Sequence, residues 1–257
     1  MAYDLTKLSK PDGNRPVICT IFGEAGMGKT TLSAMFPKPV FIRTEDGTQS
    51  LVGNDNVALF PVARSSDEVL DQIESLATGD HDFQTLVIDS ITQLATLIEG
   101  EIVDADPKAK SINQAGGGYG AGYNAAADKH RTMRDWAGAL AYDRGMNVVF
   151  IGHADTETLD LPDADPYARY TVRMHKKSLP NYTDNVDMVG FIRLETFMRG
   201  DSESKKRAIS TGKREIICFP QAANVSKNRF NITEPLPFSF EGGFPFAEFV
   251  AEKENAQ

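Results

Sequence analysis

One segment, Gly23 to Thr30 with the sequence GEAGMGKT, constrains the fold of this chain more than any other feature. Its three glycines allow a tight loop with little side-chain bulk. The apolar run Val17 to Phe22 precedes it, and Leu32 to Phe36 gives an apolar helix face before Pro37 ends the helix. Backbone N–H groups of such a loop point at one anion. The segment therefore predicts a phosphate-binding loop between a buried strand and a helix.

The spacing of the glycines, Lys29 and Thr30 matches the GxxxxGK[ST] pattern of the P-loop. In that pattern the lysine contacts the terminal phosphates and the next hydroxyl binds Mg²⁺. We therefore predict a catalytic Lys29 and a metal ligand at Thr30. A glycine-rich turn without a ligand is the alternative, and the complete match argues against it. The predicted nucleotide-binding residues are Gly23, Glu24, Ala25, Gly26, Met27, Gly28, Lys29, Thr30 and Thr31.

Length and composition limit the class of protein. The 257 residues are 41% hydrophobic, which suffices for one α/β domain over residues 1–257, with a core at about 15–232 and short extensions. The formal charge of -9 argues against a protein that coats nucleic acid by bulk electrostatics. With no long apolar stretch and no apolar signal-peptide core, we expect a soluble, intracellular protein without membrane contact. Cys19 and Cys218 are predicted to be buried thiols.

Alternating strands and helices predict the fold class. Further apolar runs at Pro39–Arg43, Thr85–Asp89 and Asn147–Ile151 predict strands, and the segments between them have helical periodicity. Such runs favour a mostly parallel sheet with helices on both faces. The last third is different, because strands without intervening helices are predicted there and are expected to extend the sheet in antiparallel fashion. These strands are Asp187–Leu194, Arg214–Phe219 and a segment near Phe240.

Three polar residues stand at the ends of predicted strands. Asp89 could order water on Mg²⁺, although an aspartate at this place is also a common helix cap. Many NTPases have a glutamate directly after this aspartate, but Ser90 follows here. Because parallel strands end at one edge, Glu45 is the predicted catalytic base, with a solvated turn residue as the alternative. His153 is a predicted sensor of the terminal phosphate, or a capping or surface histidine.

These motifs resemble those of a known family. The set GEAGMGKTT, Glu45, VIDSITQL, FIGHADTET and SKNRF is similar to the RecA/RadA recombinase superfamily, and most closely to its phage members, the RecA-like single-strand annealing ATPases of the Sak group. The resemblance spans Val17 to Asn231. It implies a RecA-like P-loop NTPase core that uses ATP and Mg²⁺, with a cytoplasmic location in a bacterial host if the protein is phage-encoded.

The segment VSKNRFN resembles the KNRFG signature of RadA-type proteins, whose lysine and arginine act on ATP held by a neighbouring subunit. The resemblance therefore implies that Lys227 and Arg229 are catalytic residues acting across an interface, and that the protein forms a ring or filament of identical subunits. Asn231 stands where the signature has glycine, which leaves the local backbone geometry open.

The segments without helical or strand periodicity, 104–123 and Ala154–Asp184, are predicted to be mobile loops. The resemblance also assigns single-stranded DNA to Gly116–Tyr123 and Ala154–Asp184. Stacking and a basic track would hold the strand, although the tyrosines could simply anchor their loop. A single-strand DNA-binding protein is a candidate partner. The candidate DNA-binding residues are Tyr119, Tyr123, Arg169, Arg173, Lys176 and Lys177.

The leading hypothesis is a Mg-ATP-dependent ATPase that binds single-stranded DNA in phage-type recombination or annealing. One alternative is a small-molecule or nucleotide kinase, which would need arginines over the phosphates, with Arg131 and Arg134 as the early candidates. The other alternative is an adaptor that binds ATP to switch partners and hardly hydrolyses it. The residues leave all three hypotheses open.

Overall fold

The computed structural model describes residues 15–199 and 207–250, together with residues 4, 6 and 8. The strands are β1 (Ile18–Gly23), β2 (Pro39–Arg43), β3 (Ala58–Val62), β4 (Thr85–Asp89), β5 (Asn147–Leu161), β6 (Ala164–Val172), β7 (Met188–Arg199), β8 (Arg207–Ile217), β9 (Lys227–Asn228) and β10 (Leu236–Phe238). The α-helices are α1 (Lys29–Ser33), α2 (Ser66–Thr78), α3 (Ile91–Asp104), α4 (Ala121–Ala139) and α5 (Pro180–Thr183). Shorter helical turns are Thr48–Leu51, Ala115–Gly117 and the π-helical turn Leu140–Arg144.

The strands form one sheet in the order β10-β8-β7-β1-β5-β4-β2-β3. The run from β7 to β3 is parallel, whereas β8, β9 and β10 pair in antiparallel fashion. Gly23 at the end of β1 lies opposite His153, and Asp89 at the end of β4 lies opposite Arg43. These carboxyl ends form the edge that we call the P-loop edge. The edge where β1 and β7 begin is the opposite edge.

The sheet is covered on both faces because its strand side chains alternate between two buried clusters. One cluster joins residues such as Phe22, Ile88 and Phe150 to the apolar faces of α2, α3 and α4. The other joins Ile21, Val87 and Ile151 to α1 and to the C-terminal segment that contains Phe238 and Phe246. Both clusters bury apolar surface, which stabilises the layered arrangement. The predicted fold class is confirmed: a parallel P-loop NTPase core with antiparallel strands added late in the chain.

The prediction of a mobile loop over Ala154–Asp184 was wrong. β5 continues past the sheet to Leu161 and pairs in antiparallel fashion with β6, and α5 follows. Most side chains of this outer hairpin are exposed on both faces, so the sequence carries no apolar alternation there. Backbone pairing, not burial, defines the two strands.

The first predicted loop also contains regular structure. Residues 115–117 form a helical turn, and α4 begins at Ala121, so Tyr123 is helical. Ser65 caps α2, since its hydroxyl accepts a hydrogen bond from the Glu68 N–H at 3.2 Å. Both cysteines are buried free thiols, Cys19 within β1 and Cys218 directly after β8.

Three strands differ from the prediction. β7 was expected to be antiparallel, but it pairs with β1 in parallel because the chain returns to the opposite edge through β6 and α5 before β7 begins. The outermost strand β3 was not predicted. It contains Pro61, which lacks an N–H but is tolerated in a strand that has a neighbour on one side only. The two-residue β9 was also missed.

In the part of the chain that the structure describes, no helix has the length and apolar character required to cross a bilayer.

Candidate active site

The predicted phosphate-binding loop joins β1 to α1 at the P-loop edge. Gly26 and Gly28 have φ of 76° and 93°, which glycine adopts without strain. A Cβ at Gly23 would lie 2.5 Å from the carbonyl oxygen of Ile192, and one at Gly28 would lie 2.4 Å from the Phe240 ring. Glycine is therefore needed for close packing as well as for the turn. The first amides of α1 have no cap from the Gly28 position and face the loop opening.

Lys29 is buried inside this loop and bonds to the loop backbone. It is 6% exposed, and its Nζ donates hydrogen bonds to the carbonyl oxygens of Gly23 at 3.0 Å and Glu24 at 2.9 Å. Burial lowers the pKa of Lys29, while Asp89 and Glu45 act in the other direction. A buried ammonium held by neutral carbonyls is complementary to an incoming anion. The loop therefore fits a phosphate group.

Thr30 and Asp89 lie side by side although they are 59 positions apart. The Thr30 hydroxyl donates to Asp89 Oδ2 at 2.8 Å. Burial raises the pKa of Asp89, and the hydrogen bond from Thr30 opposes that shift. Mg²⁺ at phosphate sites takes only one or two protein oxygens, the remainder coming from phosphates and water. This hydroxyl and carboxylate are a donor set that fits such an ion.

Glu45 follows β2 and is held by two side chains from neighbouring strand ends. Its Oε1 accepts hydrogen bonds from the Ser90 hydroxyl at 2.9 Å and from His153 Nε2 at 3.2 Å. The bond from His153, followed by the bond from Ser90, lowers the pKa of Glu45 against the effect of burial. Glu45 is therefore a carboxylate at neutral pH, the form that a base requires.

The residue after Asp89 has a different function from the one that glutamate has in many NTPases. The Ser90 N–H donates to Thr44 Oγ1 at 2.9 Å, and the Thr44 hydroxyl donates to the Ser90 carbonyl oxygen at 2.9 Å. These bonds join the ends of β2 and β4, which brings Glu45 next to Asp89. Sequence reasoning did not assign a role to Ser90 or Thr44. The sequence clue to this role was that Ser90 stands at the position where many NTPases have a glutamate.

A cleft of about 650 Å³ opens at this edge and is lined by Glu24, Glu45, His153 and Arg173, among others. Arg173 was assigned to DNA from the sequence, but the structure puts it on the cleft wall. Its Nη2 donates to the Ala154 carbonyl oxygen at 3.2 Å, and its positive charge lowers the pKa of Lys29 after the larger effect of burial. Arg173 is thus close enough to influence an anion on the P-loop.

Three of the other candidate DNA residues, Tyr119, Tyr123 and Lys177, lie on two chain segments that contact each other. Tyr119 is fully exposed, and Tyr123 stacks on His175 with ring centroids 3.7 Å apart. Lys177 Nζ donates to Asn124 Oδ1 at 2.7 Å, which ties the two segments together.

Arg169 and Lys176 differ in their surroundings. Arg169 is paired with Glu157 on the β5–β6 hairpin at 2.6 Å, whereas Lys176 is exposed beside His175. The positive charge of Arg169 is therefore compensated by the Glu157 carboxylate. DNA binding by this whole set remains a prediction.

The KNRF segment lies at the opposite edge. Lys227 of β9 pairs with Val189 near the start of β7, and Arg229 Nη1 donates to Asp187 Oδ1 at 2.9 Å. Asn231 has φ of 58°, so it adopts the left-handed conformation that glycine takes without strain. The open question about its backbone is therefore answered. The trans role of Lys227 and Arg229 remains a prediction.

The arginines considered for a kinase lid lie on α4, away from the cleft lining. Arg131 forms an ion pair with Asp128. Arg134 donates to the Asn185 carbonyl oxygen at 2.7 Å and pairs with Asp135. Neither arrangement brings a guanidinium to the P-loop.

The chain also matches a protein-family model. The family model described as the AAA domain matches residues 15–230, which is most of the chain. The matched range contains the P-loop, Glu45, Asp89, His153 and the KNRF segment. No curated protein matches the chain.

Proposed function

Because this chain belongs to the AAA domain family of P-loop ATPases, we propose that it is a Mg-ATP-dependent ATPase of the RecA-like phage type, the Sak group. In this proposal it binds single-stranded DNA and acts in homologous recombination or single-strand annealing. The observation that carries the hydrolysis step is the position of Glu45, which Ser90 and His153 hold beside the Thr30–Asp89 pair and the P-loop.

The chemistry of hydrolysis follows from these positions. The Glu45 carboxylate accepts a proton from the attacking water, and its low pKa keeps it ionised. Lys29 and the loop amides stabilise the negative charge that develops on the transferred phosphoryl group. Thr30 and Asp89 would hold Mg²⁺, which when bound neutralises charge on the phosphate oxygens. His153 contacts Glu45 and lies on the cleft, so it can respond to the terminal phosphate.

The proposed site needs a second subunit. Arg229 bonds to Asp187, whose backbone N–H donates to the Ile18 carbonyl oxygen at the start of β1. Gly23 lies five residues after Ile18, which is roughly 17 Å along β1. An arginine side chain does not span this distance to its own P-loop. Lys227 and Arg229 would therefore reach ATP only on a neighbouring copy, in a ring or filament.

The DNA part of the proposal is supported by the joined surface of Tyr119, Tyr123, His175 and Lys177. The exposed ring of Tyr119 beside Lys177 suits a sequence-neutral single strand. His153 and Arg173 connect this surface to the cleft, since the Arg173 N–H donates to the His153 carbonyl oxygen at 2.8 Å. Nucleotide and DNA could therefore influence each other through one short segment.

The test is ATP hydrolysis measured with and without single-stranded DNA across a range of protein concentrations. We expect turnover per subunit to rise with concentration and to rise further with DNA. Hydrolysis that is independent of both would contradict DNA binding and assembly, and phosphate transfer to a small molecule would favour the kinase. Tight Mg-ATP binding with negligible turnover under every condition would favour the adaptor.

A further inference from the structure

Three cations surround one buried carboxylate at the opposite edge. Arg15 Nη2 donates to Asp187 Oδ1 at 2.6 Å, and Arg229 Nη1 donates to the same oxygen at 2.9 Å. The other oxygen, Oδ2, accepts the Ile18 N–H at 3.0 Å. Lys227 lies beside them and bonds to the carbonyl oxygen of Asp184 at 2.5 Å. We call Arg15, Lys227 and Arg229 the opposite-edge cations.

The acid and the arginines differ in the exposed fraction of their side chains. The Asp187 side chain is 7% exposed, whereas those of Arg15 and Arg229 are 50% and 51% exposed. The guanidinium groups therefore lie between a buried carboxylate and solvent. Burial, and then the charge of Arg229, lowers the pKa of Lys227. The carboxylates of Asp184 and Asp187 lie near these three cations. The cations outnumber them, so this part of a chain of net charge -9 favours binding of an anion.

Resting on the proposed function, we propose that Arg15 is a third cation of the group that acts across the subunit interface. In this proposal Asp187 is a positioning residue that aims Arg15 and Arg229 at the terminal phosphates of ATP bound to a neighbouring copy of this chain. The observation behind it is the single carboxylate oxygen that both guanidiniums share.

The hydrogen-bond pattern favours this role over a purely structural clamp. A clamp between arginine and a carboxylate is strongest when it is bidentate. Here Oδ2 is already taken by a backbone N–H, so each arginine contacts Asp187 through one nitrogen in the described ranges. A guanidinium has five N–H donors. Each arginine can thus keep its contact with Asp187 and still donate to phosphate oxygens.

The first experiment compares Arg15→Ala, Arg15→Lys and the control Arg131→Ala, which removes an exposed, ion-paired arginine of α4. We expect Arg15→Ala to lower kcat at saturating ATP by about tenfold to a hundredfold, since an interfacial arginine stabilises the transition state. ATP binding by the isolated subunit should not change. Arg15→Lys keeps the charge and should recover part of the rate, and Arg131→Ala should match the wild type.

The second experiment mixes two impaired proteins. Lys29→Ala lacks a working P-loop but keeps the opposite-edge cations, whereas Arg15→Ala keeps the P-loop. Random assembly of equal amounts places an intact P-loop against intact cations at about a quarter of the interfaces, because the contact is head-to-tail. We expect the mixture to hydrolyse ATP well above the sum of its parts. No gain, with both variants folded and co-assembled, would overturn the proposal.

Three further outcomes show which proposal has failed. A wild-type protein that does not hydrolyse ATP would refute the proposed function itself, and the Arg15 variants would then have no rate to change. A wild type that is active and an Arg15→Ala variant with undiminished kcat would refute only this inference. An Arg15→Ala variant that loses binding to fluorescent single-stranded DNA but keeps its kcat would also overturn this inference. Arg15 would then bind a DNA phosphate and not ATP.

Discussion

The two edges of the sheet use the same kinds of residue in opposite arrangements. At the P-loop edge the cation is buried, with Lys29 6% exposed, and the carboxylate of Glu45 is 40% exposed. At the opposite edge the carboxylate of Asp187 is buried and the arginines are half exposed. The first arrangement suits an anion that enters a loop of the same chain. In our proposal, the second presents cations outward, to an anion on another molecule.

Backbone direction explains part of this difference. The P-loop edge collects the carboxyl ends of parallel strands, where loops and the start of α1 direct N–H groups at a ligand. The strands β1 and β7 begin at the opposite edge. The N–H of Ile18, the first residue of β1, donates to the Asp187 carboxylate. The acid that satisfies the backbone also attracts the arginines. The five predictions below test this division of roles between the edges, from the largest expected effect to the smallest.

Lys29→Ala removes the buried cation of the P-loop edge. We expect hydrolysis to fall on the order of 10³-fold or more, because the charge on the transferred phosphoryl group loses its nearest ammonium. Phosphate release measures the rate, and the exposed Lys110→Ala is the control. Near-normal turnover would mean that this edge is not the site of hydrolysis.

Arg229→Ala removes the arginine of the KNRF segment at the opposite edge. We expect a loss of about 10³-fold in kcat, the lower range for an arginine that acts across an interface. Binding of a fluorescent ATP analogue to diluted subunits should stay as in the wild type. An undiminished rate would remove the opposite edge from the mechanism, and weaker analogue binding by the monomer would show a role within one subunit.

Glu45→Gln keeps the shape of the base and removes its charge. We expect kcat to fall about 10²-fold, as for loss of a general base, while Mg-ATP binding is retained. Single-turnover hydrolysis and equilibrium binding separate the two effects, with the exposed Glu74→Gln of α2 as control. Unchanged turnover would refute the assignment of Glu45, and the base would have to be sought elsewhere along the P-loop edge.

Asn228→Ala tests what holds the opposite edge in place. The Asn228 side chain accepts the N–H groups of Phe230 and Ile232 at 2.9 Å each, and it donates to the carbonyl oxygen of Cys218 at 2.7 Å. Leaving these groups unpaired should lower the free energy of unfolding by about 2 kcal/mol. Urea unfolding measures it, with the exposed Asn56→Ala as reference. Equal stabilities would mean that the loop is held by its apolar contacts.

Asn231 gives the smallest effect. Its φ of 58° is costly for alanine and free for glycine. We expect Asn231→Ala to destabilise the protein by about 1 kcal/mol and Asn231→Gly to change it by less than about 0.5 kcal/mol. Thermal unfolding of both variants checks this order. The reverse order would show that the asparagine side chain, and not the backbone, is what the position requires.

Much of the P-loop edge was predictable because its residues follow apolar strands. Gly23, Glu45, Asp89 and His153 each come at or just after such a strand, and parallel strands end at a common edge. The outer hairpin of β5 and β6 was not predictable in the same way. Its side chains are mostly exposed, so hydrogen bonds between distant backbone groups define it and leave no local periodicity.

The sequence by itself determined the phosphate-binding loop and the parallel core, because glycine spacing and apolar runs act over a few neighbouring residues. Only the tertiary structure decided that Ser90 and His153 hold Glu45, that Arg173 lies on the cleft, and that Arg15 meets Asp187 across 172 positions. These pairings depend on strand order and register. Both emerge when separate apolar faces bury each other, and no local segment encodes them.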